Sequence, residues 1–179
     1  MKKIFKIKNN SNRSNKGFTL LEVIFAMFVL LIGVLGVYIL IQDNISKSRQ
    51  SSFHLTAAYL AQEGVEIIRN LRDQNWLKGK KEWDTGIGDC NGENFYQLQY
   101  DDSALGTCGN QDMHLKIINN QYYGYRGTGN VTPFIREIRI AHNGDDEIDV
   151  EVKVYWDYKG ERKGPVTVKE KLYNWRYTE

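Results

Sequence analysis

Residues 16–41 read KGFTLLEVIFAMFVLLIGVLGVYILI. The 24 residues 18–41 hold one charged side chain, Glu22. As a helix they span roughly 36 Å, enough to cross a hydrocarbon core of about 30 Å. On their N-terminal side lie six basic residues (Lys2, Lys3, Lys6, Lys8, Arg13 and Lys16) and no acid. An excess of Lys and Arg on one flank holds that flank in the cytoplasm and directs the rest of the chain across the membrane. A secretory signal peptide or a plain signal anchor has the same outline. Two details argue against it. A signal peptide is cut after its apolar region at a small-residue site, and none follows Ile41; here the small residue, Gly17, precedes the apolar run. Glu22 also sits inside that run, where an ionisable group costs about 2.5–3.5 kcal/mol near the bilayer centre and less near an end, so it marks a functional position.

The segment KGFTLLEV, residues 16–23, resembles the cleavage and methylation motif of type IV prepilins and type II secretion pseudopilins. Its continuation, LLEVIFAMFVLLIGVLG, resembles PilV-type minor pilins, and the resemblance covers about residues 12–75. It implies that a prepilin peptidase cuts between Gly17 and Phe18 on the cytoplasmic side and that the new Phe18 amine is N-methylated. The implied partners are that peptidase, other pilin or pseudopilin subunits and the membrane. The implied product is a structural filament subunit of a pilus, secretion or competence system, single-pass before assembly, with its C-terminal part outside the cytoplasm. The resemblance also brings a membrane-half proline in many members; this chain has none there, and Gly33 and Gly36 are its soft points.

The chemistry of this site can be stated from the residues themselves. Cleavage would convert an internal amide at Phe18 into a terminal amine with a reference pKa of about 7.7–8.0. That cation and the Glu22 carboxylate neutralise each other in a medium where a lone charge is costly. The pairing expected is between neighbours, Glu22 of one subunit with the Phe18 amine of another, fixing axial register. The plainer role for Glu22 is to complement the positive end of the helix dipole.

The formal charge of +2 over 179 residues misleads, because residues 18–179 hold 18 basic against 22 acidic residues, about −4. Binding nucleic acid by neutralising phosphates is therefore not expected, although pilin-like proteins in DNA uptake keep the question in view. The length suits one folded domain with an appended segment. The expected division is 1–17, a cleaved cytoplasmic leader; 18–41, the transmembrane half of a long helix; 42–75, its amphipathic half; and 76–179, an extracytoplasmic β-rich head.

No proline occurs before Pro133, so nothing forces the helix to end at the membrane surface. Phe53, Ala57, Leu60, Gly64, Ile67 and Leu71 recur at steps of four and three, the stripe of a helix lying on a core. A helix over 18–75 is expected, roughly 87 Å long. Residues 76–94 read as a loop, and 95–100, 113–118 and 121–126 as short strands. Residues 148–157 alternate Ile148, Val150, Val152, Val154 and Trp156 with polar neighbours, a half-buried strand. It follows 134–142 across Asn143-Gly144, a tight-turn dipeptide, and precedes 166–175 beyond Lys159-Gly160. The expected fold is α+β and pilin-like, one long helix packed on an antiparallel sheet of four to six strands.

The chain has two cysteines, Cys90 and Cys108, and no CxxC pair. In the exported part a disulfide is the natural reading, with two buried thiols as the alternative. Asp89, Asn91 and Glu93 alternate like a calcium loop, but the positions where an EF-hand needs Gly and Glu hold Asn94 and Tyr100, so a solvated turn and no metal are expected. The three histidines, His54, His114 and His142, stand at no catalytic spacing. There is no GxSxG, HExxH, P-loop or dinucleotide fingerprint, so neither enzymatic activity nor a cofactor is expected. The many aromatics at strand spacing read as core and cross-strand pairs before they read as a stacking platform. The rival to a filament subunit is a single-pass anchored module that displays its head for DNA or adhesion and does not polymerise.

Overall fold

The computed structural model describes residues 17–80 and 82–175. The leader expected at 1–17 lies, apart from Gly17, outside them. Two compact units are formed, Met1–Lys47 and Ser48–Glu179. One helix, α1 (Leu20–Leu77), contributes to both. Five strands follow: β1 (His114–Ile118), β2 (Tyr122–Gly124), β3 (Gly129–His142), β4 (Glu147–Tyr158) and β5 (Glu161–Tyr173). They form one sheet in the order β2-β1-β3-β4-β5 with every neighbouring pair antiparallel. This is the α+β, pilin-like architecture expected from the sequence.

In the first unit, residues 17–45 are exposed on every side. A helix that is apolar all round and buries nothing within its own chain is built for a surrounding apolar medium. It is the one described helix long and apolar enough to cross a membrane.

In the second unit the core forms between α1 and one face of the sheet. The stripe read from the sequence is the stripe that is buried: Ala57, Leu60, Gly64, Ile67 and Leu71 lie inside, with Phe53 packed at the edge. Opposite them stand Ile138 and Ile140 of β3, Ile148, Val150, Val152 and Val154 of β4, and Leu172 of β5. Strand β4 alternates buried and half-buried over its first ten residues, as its period-two pattern requires. Gly64 sets the helix–sheet distance. A Cβ there would sit 2.8 Å from Val152 Cγ1, so only glycine lets the helix backbone come this near.

Arg136 is the unexpected core residue. Its register partner is Val154, so it points to the helix side, where it is fully buried. Nη1 donates to the Leu60 carbonyl (3.1 Å), Nη2 donates to the Leu98 carbonyl (2.5 Å), and Glu63 stands 3.4 Å away. One guanidinium thus ties helix, sheet and the 97–99 segment together, as a planar fork of five donors can.

Three strand expectations are corrected. Residues 95–100 are not a strand: Phe95 and Tyr96 make single bridges to Gly109 and Ile138, and the ladder ends there. Side chains take over the hydrogen bonding. Gln99 Oε1 accepts from the amides of Tyr125 and Arg126, and Asp102 Oδ2 accepts from the Gln99 amide. Strand β3 begins at Gly129, five residues before the expected start, because its first residues pair with β1. Strand β5 begins at Glu161 instead of 166 and ends at Tyr173 instead of 175. The cause is the turn: Lys159 and Gly160 both have positive φ, the two-residue connection that matches strand twist, so pairing resumes at once with Tyr158 opposite Glu161. The helix runs two residues past its expected end, through Trp76 and Leu77.

Candidate functional site

Gly17 and Phe18, the residues expected to flank the cleaved bond, are non-helical, as is Thr19. The helix starts at Leu20, and its first turn closes with the Val23 amide donating to the Thr19 carbonyl at 3.2 Å. The Thr19 hydroxyl accepts from the Glu22 amide, also at 3.2 Å. Thr19 is therefore the N-cap and Glu22 the third helical residue, the Thr-x-x-Glu arrangement of a capping box. Thr19-Leu20-Leu21-Glu22 carries the signal for this cap, a role for Glu22 beyond the charge pairing and the helix-dipole complement expected from the sequence.

Two consequences follow for the chemistry. The Gly17–Phe18 bond lies in non-helical chain just before the helix, so cleavage there would not require unwinding a hydrogen-bonded turn. Cleavage there leaves the cap, Thr19, inside the product. The new terminus would sit one residue before that cap, at the end of the helix where unpaired N–H groups already concentrate positive potential. A cation added there needs a carboxylate. Glu22 is exposed, and among the described residues no cation pairs with it. The residues three and four positions on, Phe25 and Ala26, are exposed and apolar.

The second unit holds the other candidates. Cys90 and Cys108 are joined as a disulfide with Cα atoms 5.8 Å apart. Cys90 is also stitched to β3, exchanging backbone hydrogen bonds with Ile140 at 2.9 and 2.8 Å. Asp89, the first residue of the calcium-like alternation, is engaged elsewhere. Its Oδ1 accepts from the His142 amide at 2.8 Å and lies 2.6 Å from the ring Nδ1, while Asp84 Oδ2 lies 3.4 Å from Nε2. The hydrogen bonds from His142 hold the Asp89 carboxyl below its ordinary value. No group of three or more ligating side chains suited to a metal occurs among the described residues. No spacing along the chain points to the Asp84–His142–Asp89 contact, because the two acids lie 53 or more residues from His142.

His114 Nε2 lies 2.9 Å from Asp157, and His54 packs edge-on to Trp156. The outward sheet face carries alternating charge: Lys153 and Lys169 both reach Glu151 at 2.9 Å, and Arg139 reaches Glu137 at 2.8 Å. Of the aromatics, Trp83, Phe134 and Trp156 are core, whereas Tyr100 and Trp175 are exposed, Tyr100 against Tyr122 and Trp175 against Trp76.

Neither a curated protein nor a solved structure is found to match the chain. A family match is found at the site just described. Residues 12–38 match the prokaryotic N-terminal methylation motif, so this segment is similar to the signature of type IV prepilins and pseudopilins.

Proposed function

We propose that this chain is a minor pilin or pseudopilin, cut between Gly17 and Phe18, N-methylated on Phe18 and built into a type IV pilus-like or type II secretion-like filament. Residues 1–17 act as the cytoplasmic leader. Residues 18–41 hold the subunit in the membrane and later form the fibre core with the same segment of neighbouring copies. Residues 42–75 carry the outer half of the helix, and 76–179 form the head outside the cytoplasm. Within the fibre, Glu22 of one copy neutralises the Phe18 amine of the next.

The observation that carries this reading is the placement of one carboxylate, with no cation paired to it among the described residues, at the third residue of the helix, in a segment 18–41 that is otherwise uncharged and exposed throughout, four residues after the expected new terminus. An acid in that position is costly in lipid unless a cation meets it. Cleavage creates such a cation in every copy.

Co-expression with a prepilin peptidase tests it. The expected product has lost the mass of residues 1–17 and gained one methyl group on Phe18. It is recovered in sheared filaments together with other pilins. A chain that keeps its leader in cells possessing the peptidase refutes the reading and leaves the membrane-anchored display module.

A further inference from the structure

We propose that Asn91, beside the disulfide of the Ser48–Glu179 unit, is a site of spontaneous deamidation with water as its only co-reactant. The site does not depend on filament assembly. In an Asn-Gly pair no side chain shields the following amide nitrogen, so it can reach the Asn side-chain carbonyl carbon. The Gly92 nitrogen gives up its proton and bonds to Asn91 Cγ. The Cγ–Nδ2 bond breaks, and ammonia leaves with that proton. Water then opens the five-membered succinimide at either carbonyl, leaving aspartate or isoaspartate at position 91.

The chain has two Asn-Gly pairs, Asn91-Gly92 and Asn143-Gly144, and both glycines have positive φ, 67° and 80°. Side chains and charge separate them. At Asn143 the carboxamide is held: Nδ2 donates to Glu147 Oε1 at 3.2 Å and to Asp149 Oδ2 at 2.6 Å. Both bonds must break before Cγ can turn toward the Gly144 nitrogen. The same carboxylates oppose the negative charge that develops as that nitrogen loses its proton.

Asn91 is exposed, and among the described residues neither its carboxamide nor the Gly92 nitrogen makes a hydrogen bond. One bond closes the turn, from the Asn94 amide to the Asn91 carbonyl at 3.2 Å. The charge that β3 brings against this turn is a cation, with Arg139 Nε donating to the Gly92 carbonyl at 3.1 Å. A fixed cation favours the anionic nitrogen and the oxyanion formed in the attack. Of the flanking acids, Asp89 is bound to His142, and Glu93 is exposed, where water and salt screen it.

The change alters the unit in two ways. Asn91 lines a recess of about 710 Å³ together with four cations, Arg139, Lys153, Lys169 and Lys171, and three acids, so a carboxylate at position 91 brings the lining to balance. Isoaspartate also carries the main chain through its side chain, one methylene longer. Cys90 cannot absorb that length, because the bond to Cys108 and two backbone hydrogen bonds to Ile140 hold it. The 92–94 turn shifts instead, and the Arg139–Gly92 contact is lost.

The test holds the full chain in phosphocholine micelles in heavy-oxygen water at neutral pH, then digests it in ordinary acidic water and maps the peptides by mass spectrometry. Position 91 is expected to take up heavy oxygen at least about tenfold faster than position 143, the rate factor of one charge-assisted hydrogen bond that must first break. Asn91→Gln should abolish the uptake and leave thermal melting unchanged, since the larger glutamine ring closes far more slowly. Asp149→Ala should speed uptake at position 143 several-fold and leave position 91 as it was. Equal rates at the two positions overturn the proposal. So does an unlabelled position 91 in the folded chain while a synthetic peptide of residues 88–95 converts in the same buffer.

Discussion

The Thr19 hydroxyl accepts a hydrogen bond from the Glu22 amide at 3.2 Å, so the acid that interrupts the apolar run is fixed at the third position of a capped helix. The cap and the charge can be separated by mutation. Glu22→Gln keeps the backbone donor that Thr19 uses and removes only the charge. It should leave membrane insertion and cleavage at Gly17 intact and abolish incorporation into filaments, as read by intact mass and by immunoblot of the sheared fraction. Thr19→Ala should cost the helix start about 1 kcal/mol yet permit incorporation. Equal loss in both variants would assign Glu22 to capping and remove the charge-pairing idea.

Arg136→Met should destabilise the second unit by about 3–5 kcal/mol, the range for breaking a buried charged contact. The change strips the Leu60 and Leu98 carbonyls of their donor and leaves Glu63 without its cation. Glu63→Gln should cost much less, since its side chain is 31% exposed and water can replace Arg136. Thermal melts of the two variants check the order, and a larger loss for Glu63→Gln would contradict it.

Gly64→Ala pits two effects against each other. Alanine is favoured in a helix interior by about 1 kcal/mol, while an added carbon in a packed core costs about 1–3 kcal/mol. With the new Cβ 2.8 Å from Val152 Cγ1, overpacking should win, and the net change should be destabilising. Val152→Ala should relieve much of that strain, giving a favourable coupling in a double-mutant cycle. Additive losses would show that the contact is not what excludes a side chain.

Reduction of the Cys90–Cys108 bond, which closes a sequence separation of 18, should cost about 3 kcal/mol by the loop-entropy account. Cys90→Ser with Cys108→Ser should match the reduced protein in chemical denaturation. An unchanged midpoint after reduction would mean that the Cys90–Ile140 backbone pair already holds the loop.

Tyr125 predicts a loss of stability at high pH. Its hydroxyl donates to the Arg136 carbonyl at 2.9 Å, and burial pushes its pKa up to about 12. The unfolded tyrosine releases its proton near pH 10, the folded one two units later, so the folded form binds more protons between them. Stability is therefore full below pH 10 and falls as pH rises toward 12, by about 2–3 kcal/mol. Tyr125→Phe should flatten the fall in denaturation midpoints over that window; an identical slope would put the effect elsewhere.

Local pattern carried much of the architecture. The apolar run appears as the helix half exposed on every side, and the heptad-like spacing of Ala57, Leu60, Gly64, Ile67 and Leu71 and the alternation from Ile148 to Trp156 each express a period that the backbone imposes and appear as the buried side of their elements. Elements that rely on partners were read poorly. The beginnings of β3 and β5 depend on β1 and on a two-residue turn, and the 95–100 segment loses its ladder to Gln99 and Asp102 from within the same loop.

By itself the sequence determined the membrane segment, the methylation motif at residues 12–38 and the helix-on-sheet class, because all three are written in composition or in short-range spacing. Only the tertiary structure decided that Arg136 is a core cross-tie and that His142 meets Asp84 and Asp89. Those facts depend on which backbone carbonyls and carboxylates the fold brings together across tens of residues, and no period along a chain encodes a meeting of that kind.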